Sequence, residues 1–124
     1  MKDVATKLVP VEKHISEQKG PFRLFALFQR EDALDFWDLL VSAAWIADNK
    51  EASIRLIVAE VTKVLAQDEL IKLSRVVVIE ANNPALDAIN KAIHVKGGIA
   101  EVSNSNFFGL QIRHAYIITS TSSK

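Results

Sequence analysis

Apolar residues recur with the period of a helix in some segments of this chain and with the period of a strand in others. Val4, Leu8, Val11 and Ile15 are spaced by four, three and four residues, which is typical of one face of a helix. Residues 22–29 instead alternate between two faces, as the residues of a strand do. Over the whole chain, these changes of period predict the order helix, strand, strand, helix, strand, helix, strand, strand.

This order predicts an α+β fold with α/β-like crossovers, in which helices pack on the faces of a mixed sheet of about five strands. Two strand–helix–strand units require parallel neighbours, and two hairpins require antiparallel neighbours. We expect the second strand to run from about Phe36 to Ile46. The segment Arg75–Ala81 is expected at the centre of the sheet, because the run Val76–Ile79 is apolar on both faces. Val77 and Val78 should then be buried on opposite sides of that strand.

The length of 124 residues predicts one globular domain over residues 1–119 and a frayed polar tail over residues 120–124. The chain contains no cysteine, which excludes disulfide scaffolds, thiolate zinc sites and cysteine nucleophiles. Its formal net charge is 0, so no overall basic field indicates binding to nucleic acid or to an anionic membrane. No apolar run matches an export signal or is long enough to span a bilayer. We therefore expect a cytoplasmic protein without a membrane segment.

The sequence lacks the signatures of the common catalytic sites, such as a glycine-rich phosphate loop or a nucleophile elbow. The best local candidate for a binding site is the segment Glu80–Pro84, because it connects a predicted parallel strand to a helix. Glu80, Asn82 and Asn83 are the candidate ligand-binding residues of this segment. The alternative is that Asn83 caps the helix and that Glu80 is solvated at the end of a strand.

Asp38 interrupts an otherwise apolar predicted strand, where a carboxylate is costly unless it is paired or coordinated. Asp38 and Glu80 are therefore candidate catalytic residues that could hold Mg²⁺, which prefers oxygen ligands. Candidates for a third carboxylate are Glu31, Asp32 and Glu101. The alternatives for Asp38 are that it lies near the start of a strand, that it faces solvent, or that it forms an ion pair with Arg23, Arg30 or Arg113. His114 is a further catalytic candidate as a proton carrier, and the alternative is a hydrogen-bonded residue of the sheet.

Phe107 and Phe108 follow a predicted turn at residues 104–106. Two consecutive aromatic side chains cannot both point inward from a regular strand, so we expect one of them at a bulge or exposed at an interface. The favoured hypothesis is a small, soluble, non-catalytic interaction or binding module without a cofactor. It would self-associate as a homodimer, with Phe107 or Phe108 at the contact. The alternative hypothesis is a metal-dependent, nuclease-like hydrolase that uses Asp38 and Glu80 with Mg²⁺.

Overall fold

The structure, a computed structural model, describes residues 1–121. Within these residues the helices are α1 (Lys2–Lys19), α2 (Ala44–Asp48), α3 (Lys50–Val64), α4 (Gln67–Lys72) and α5 (Pro84–Ala92). The strands are β1 (Leu24–Arg30), β2 (Trp37–Ser42), β3 (Leu73–Val78), β4 (Val95–Phe107) and β5 (Leu110–Ser120). The predicted α+β fold with a mixed sheet and packed helices is confirmed.

The strands form one sheet in the order β3-β2-β1-β5-β4. β2 and β3 are parallel, and the connection between them contains α2, α3 and α4. The pairs β1–β2, β1–β5 and β4–β5 are antiparallel. Of the two predicted crossovers, the one between β2 and β3 joins parallel neighbours. The other is wrong, because the chain leaves β3 through α5 and forms β4 at the opposite edge of the sheet.

The expected central position of the segment Arg75–Ala81 is also wrong, because its first four residues belong to β3, which lies at one edge of the sheet, and its last three follow the end of that strand. Val77 and Val78 do face opposite sides, but both are only partly buried. A run that is apolar on both faces indicates that both faces are covered. The run does not show whether the strand has a neighbouring strand along both of its edges. An edge strand whose two faces are partly covered therefore has the same pattern as a central strand.

Two apolar cores lie on the two faces of the sheet. The face covered by α1 and α3, called the α1 face, includes the fully buried Leu8, Phe25 and Ile57. The opposite face, called the α5 face, includes Phe28 and Leu86. Because successive residues of β1 contribute to opposite cores, this strand is apolar on both sides, as its sequence predicts.

The second strand is shorter than expected, since β2 ends at Ser42 and Trp45 lies in α2. The indole N–H of Trp45 donates to the backbone oxygen of Gly20 at 2.9 Å, and its ring centroid lies 5.4 Å from that of Phe22. Gly20 ends α1 with a φ of 125°, and a Cβ there would lie 3.2 Å from the indole. Glycine is favoured at this position by both the backbone conformation and the close approach of Trp45.

β5 continues one residue into the predicted tail. Ser120 is buried, and its hydroxyl accepts a hydrogen bond from the side-chain amide of Asn90 at 3.0 Å. The hydroxyl of Thr121 donates to the backbone oxygen of Phe22. Residues 122–124, the remainder of the predicted tail, lie outside the described residues. Among residues 1–121, no helix has the length and apolar character needed to cross a membrane.

Candidate functional site

Asp38 lies on the α5 face of β2, where it is opposite Phe28 of β1 and Arg75 of β3. Its side chain is buried and contacts two arginines. Oδ2 lies 3.3 Å from Nε of Arg30, and Oδ1 lies 3.4 Å from Nε of Arg75. The ion pair with Arg30 is one of the alternatives that the sequence leaves open. The pairing with Arg75 is not predicted, because the sequence does not reveal which strand lies beside β2.

The structure does not bring Asp38 and Glu80 together. Asp38 pairs with Arg75, whereas Glu80 comes five residues later, beyond the end of β3. At the rise of a strand, five residues correspond to roughly 16 Å, which is too far for one ion to contact both carboxylates. Within residues 1–121, no three histidine or carboxylate side chains are grouped so that they could hold a metal ion. The geometry therefore gives no support to the predicted magnesium site.

The segment after β3 has the structure of a helix cap. Oδ1 of Asn83 accepts a hydrogen bond from the backbone N–H of Ala85 at 2.9 Å, and Pro84 is the first residue of α5. Arg23 donates to the backbone oxygen of Ala81 at 2.9 Å, which holds the connection against β1. Asn82 and Glu80 are exposed. Asn83 thus has the capping role that was the alternative to ligand binding.

Glu80 lines a cavity of about 110 Å³ between the end of β3 and α2, next to the first residue of α3. The other walls are formed mainly by alanine, valine and isoleucine side chains, with one basic residue, Lys50. A space of this size and composition provides one carboxylate and one ammonium group on an apolar wall. Those two groups do not make up a nucleophile with its base, an acid–base pair or a metal site.

His114 links β4 to β5 on the α1 face. Its Nδ1 lies 3.2 Å from the hydroxyl of Ser103, the residue directly opposite, and its Nε2 lies 3.2 Å from Oε2 of Glu101. The ring also packs against Tyr116, at a centroid distance of 4.8 Å. Burial and the nearby charge of Glu101 raise the pKa of Tyr116 above its ordinary value. These contacts match the predicted alternative, a hydrogen-bonded residue of the sheet.

The predicted turn at residues 104–106 is wrong, because β4 continues to Phe107 and the turn consists of Phe108 and Gly109. Both turn residues have positive φ, 55° and 76°, as in the tight two-residue turns that suit a twisted hairpin. The ring centroids of Phe107 and Phe108 lie 5.3 Å and 6.4 Å from that of Phe28. Because Phe108 leaves the alternation of the strand, both rings reach the α5 face and neither is exposed. Their place at an interface remains an untested prediction.

Glu12 is a buried carboxylate that the sequence pattern does not single out, because it looks like a polar interruption of the apolar stripe of α1. The hydroxyl of Thr119 donates to Oε2 of Glu12 and accepts a hydrogen bond from the backbone N–H of Gly97 at 3.1 Å. Burial raises the pKa of Glu12, whereas the hydrogen bond from Thr119 and the charge of Lys96 lower it. Burial is the strongest of these effects, so the charged form of Glu12 is disfavoured in the fold.

The two edges of the sheet differ in how they are protected from other chains. β4 has a register shift between Lys96 and Ala100. Such an irregularity, together with the charge of Lys96, discourages another strand from pairing with this edge. β3 also has an extra residue, Ser74, but the segment from Arg75 to Val78 is regularly paired with β2. The one charged side chain of β3, Arg75, is in the ion pair with Asp38. The outer edge of β3 therefore lacks an unpaired charge.

The direction of the peptide groups in β3 follows from one hydrogen bond. The backbone N–H of Ile79 donates to the oxygen of Val41 in β2 at 2.8 Å. Backbone N–H and C=O groups alternate in direction along a strand. Those of Val77 therefore also point toward β2, whereas those of Val76 and Val78 point away from it. The outer edge thus offers the N–H and C=O groups of two valines to another strand.

Comparison with protein-family models, curated proteins and solved structures finds no match to this chain.

Proposed function

We propose that this chain is a non-catalytic interaction module that binds an extended segment of a partner chain along the outer edge of β3. The observation that carries this proposal is the pair of outward-facing peptide groups at Val76 and Val78 on an edge without an unpaired charge. An edge of this kind is the usual template for strand addition, in which backbone hydrogen bonds provide affinity. The absence of cysteine is consistent with a reducing compartment, and we place the module in the cytoplasm.

Apolar surface beside β3 supports the same proposal. A groove of about 240 Å³ lies between α3 and β3, and its apolar lining includes Val58, Leu70 and Val76. The side chain of Val58 is 44% exposed, although it lies on the side of α3 that borders the sheet edge. Side chains of an added strand alternate between the two faces, so every second one would lie over this groove. Burial of the exposed valine surface would then add to the backbone hydrogen bonds.

A proline at position 76 tests this proposal, because proline removes the outward N–H without removing a hydrogen bond to β2. The probe is a fluorescent peptide with the sequence of residues 73–79, flanked by lysines for solubility, and its binding is followed by fluorescence anisotropy. We expect Val76→Pro to bind the peptide at least about tenfold more weakly than the parent chain, since it loses a backbone hydrogen bond and cannot align the strand.

Val76→Ala is the matched control, because it removes the same side chain and keeps the N–H group. We expect it to bind the peptide more weakly than the parent chain by no more than a few-fold, for the lost apolar surface, and much more tightly than Val76→Pro. Circular dichroism and thermal unfolding establish that both variants are folded. Equal binding by the proline and alanine variants, or no binding by the parent chain, would contradict strand addition at β3.

A further inference from the structure

We infer that the partner at the edge of β3 is a second copy of this chain, with the two β3 strands antiparallel and Val77 on the two-fold axis. This inference rests on the proposed function, since it names the occupant of the same edge. It also fixes the register of the contact, which the proposed function leaves open. The predicted homodimer is thereby placed at β3 rather than at Phe107 and Phe108.

The directions of the peptide groups select this register. With Val77 on the axis, Val76 of each copy is opposite Val78 of the other. Both of these residues direct their N–H and C=O groups outward, so each of the two pairs can exchange two hydrogen bonds. Val77 directs its own peptide groups toward β2 and forms the non-hydrogen-bonded pair at the centre. The outward-directed N–H and C=O groups of Val76 and Val78 in both copies are therefore all paired.

The charges of the chain permit two copies to meet at this edge. Arg75 would be opposite Ile79 of the other copy, and each Arg75 retains its own ion pair with Asp38. No like-charged side chains are then directly opposite, an arrangement that would destabilise the pair. The formal net charge of 0 also removes long-range repulsion between copies.

The side chains at the contact are complementary to themselves. In the proposed register a valine meets a valine at three successive positions, and β-branched side chains of this kind pack well across antiparallel strands. A two-fold axis perpendicular to the sheet places the α1 faces of both copies on the same side. The grooves beside α3 in the two copies would then lie next to each other over one continuous sheet. Such an isologous contact closes on itself, which is the commonest form of assembly.

The lack of cysteine makes a disulfide test of this register direct. The Cα atoms of a non-hydrogen-bonded antiparallel pair lie about 4.5 Å apart, within the span of roughly 4.4–6.8 Å that a disulfide bridges. We expect Val77→Cys to form a covalent dimer rapidly under mild oxidation, at low micromolar protein concentration. Non-reducing electrophoresis measures the rate, and sedimentation of the unmodified chain measures self-association without a cross-link.

Val76→Cys is the matched control, because the same residue type then lies off the axis and opposite Val78. It should form a covalent dimer at least about tenfold more slowly than Val77→Cys, and the double variant Val76→Cys, Val78→Cys should again cross-link rapidly. Faster cross-linking of Val76→Cys would overturn the register. A Phe107→Ser, Phe108→Ser double variant that abolishes self-association while retaining its fold would overturn the location.

The two proposals fail in distinguishable ways. A chain that stays monomeric at every concentration but binds the β3 peptide in a manner sensitive to Val76→Pro would overturn the second copy and retain strand addition. A dimer that persists unchanged in Val76→Pro would overturn the location of the dimer. Only peptide binding that is equal in Val76→Pro and Val76→Ala would also overturn the role of the β3 edge.

Discussion

Replacement of Phe28 by alanine is expected to lower the free energy of unfolding by about 3–5 kcal/mol, as truncation of a buried aromatic residue usually does. The Phe28 side chain is 2% exposed and contacts both Phe107 and Phe108 on the α5 face. Its removal leaves a cavity beneath the tight turn between β4 and β5, and the two strands cannot close it without distorting that turn. Urea denaturation of the variant and the parent chain measures the difference.

Phe36→Ala provides the matched control for this prediction. Phe36 precedes β2 and its side chain is 47% exposed, so its replacement should change the free energy of unfolding by no more than about 0.5 kcal/mol. Similar losses in the two variants would show that Phe28 is not a core residue.

Glu12→Gln is expected to stabilise the fold at neutral pH and to flatten its dependence on pH. Burial raises the folded-state pKa of Glu12 above its ordinary value of 4.5, so the folded chain retains the proton to higher pH than the unfolded chain does. The stability that the protonated carboxyl contributes is complete below 4.5 and is lost as the pH rises through the folded-state pKa. Each pKa unit of this difference corresponds to about 1.4 kcal/mol at neutral pH. Glutamine keeps an oxygen that can accept the hydrogen bond from Thr119 and carries no charge.

The measurement is the free energy of unfolding from urea denaturation at a series of pH values between acid and neutral. Glu17→Gln serves as the control, because Glu17 lies on the same helix and is exposed. We expect this control to follow the parent curve. A Glu12→Gln variant that is less stable than the parent chain at neutral pH would contradict a raised folded-state pKa of Glu12.

The order of helical and strand segments and the alternation of faces can be predicted because both depend on the local period of apolar residues, although the single helix predicted between the second and third strands is three helices, α2, α3 and α4. β1 and the first helix are clear cases: the stripe that includes Leu8 and the two-sided strand from Leu24 are found as expected. The lateral order of strands depends on which segments meet after long connections. Nothing in the run Val76–Ile79 distinguishes an edge strand from a central one, so the predicted position of β3 is wrong.

The contacts of the candidate site residues depend on the strand order in the same way. A carboxylate within an apolar strand is costly unless it is paired or coordinated, and Arg30, one of the three arginines proposed as a partner of Asp38, is found beside it. The second partner, Arg75, depends on the pairing of β2 with β3, which no local pattern encodes. The contact between His114 and Ser103 depends on the register of β4 and β5. That register is set by the turn at Phe108, whose positive φ is unusual for a bulky residue.

Amide hydrogen exchange of β3 at low and at high protein concentration tests the central claim, that the outer edge of this strand binds another copy. The N–H of Ile79 bonds to β2 within one chain and serves as the internal reference, expected to exchange slowly at both concentrations. We predict that the N–H groups of Val76 and Val78 exchange rapidly in dilute solution and become protected as the concentration rises. Rapid exchange of both valines at every concentration, in a sample that sedimentation shows to be self-associated, would contradict the claim.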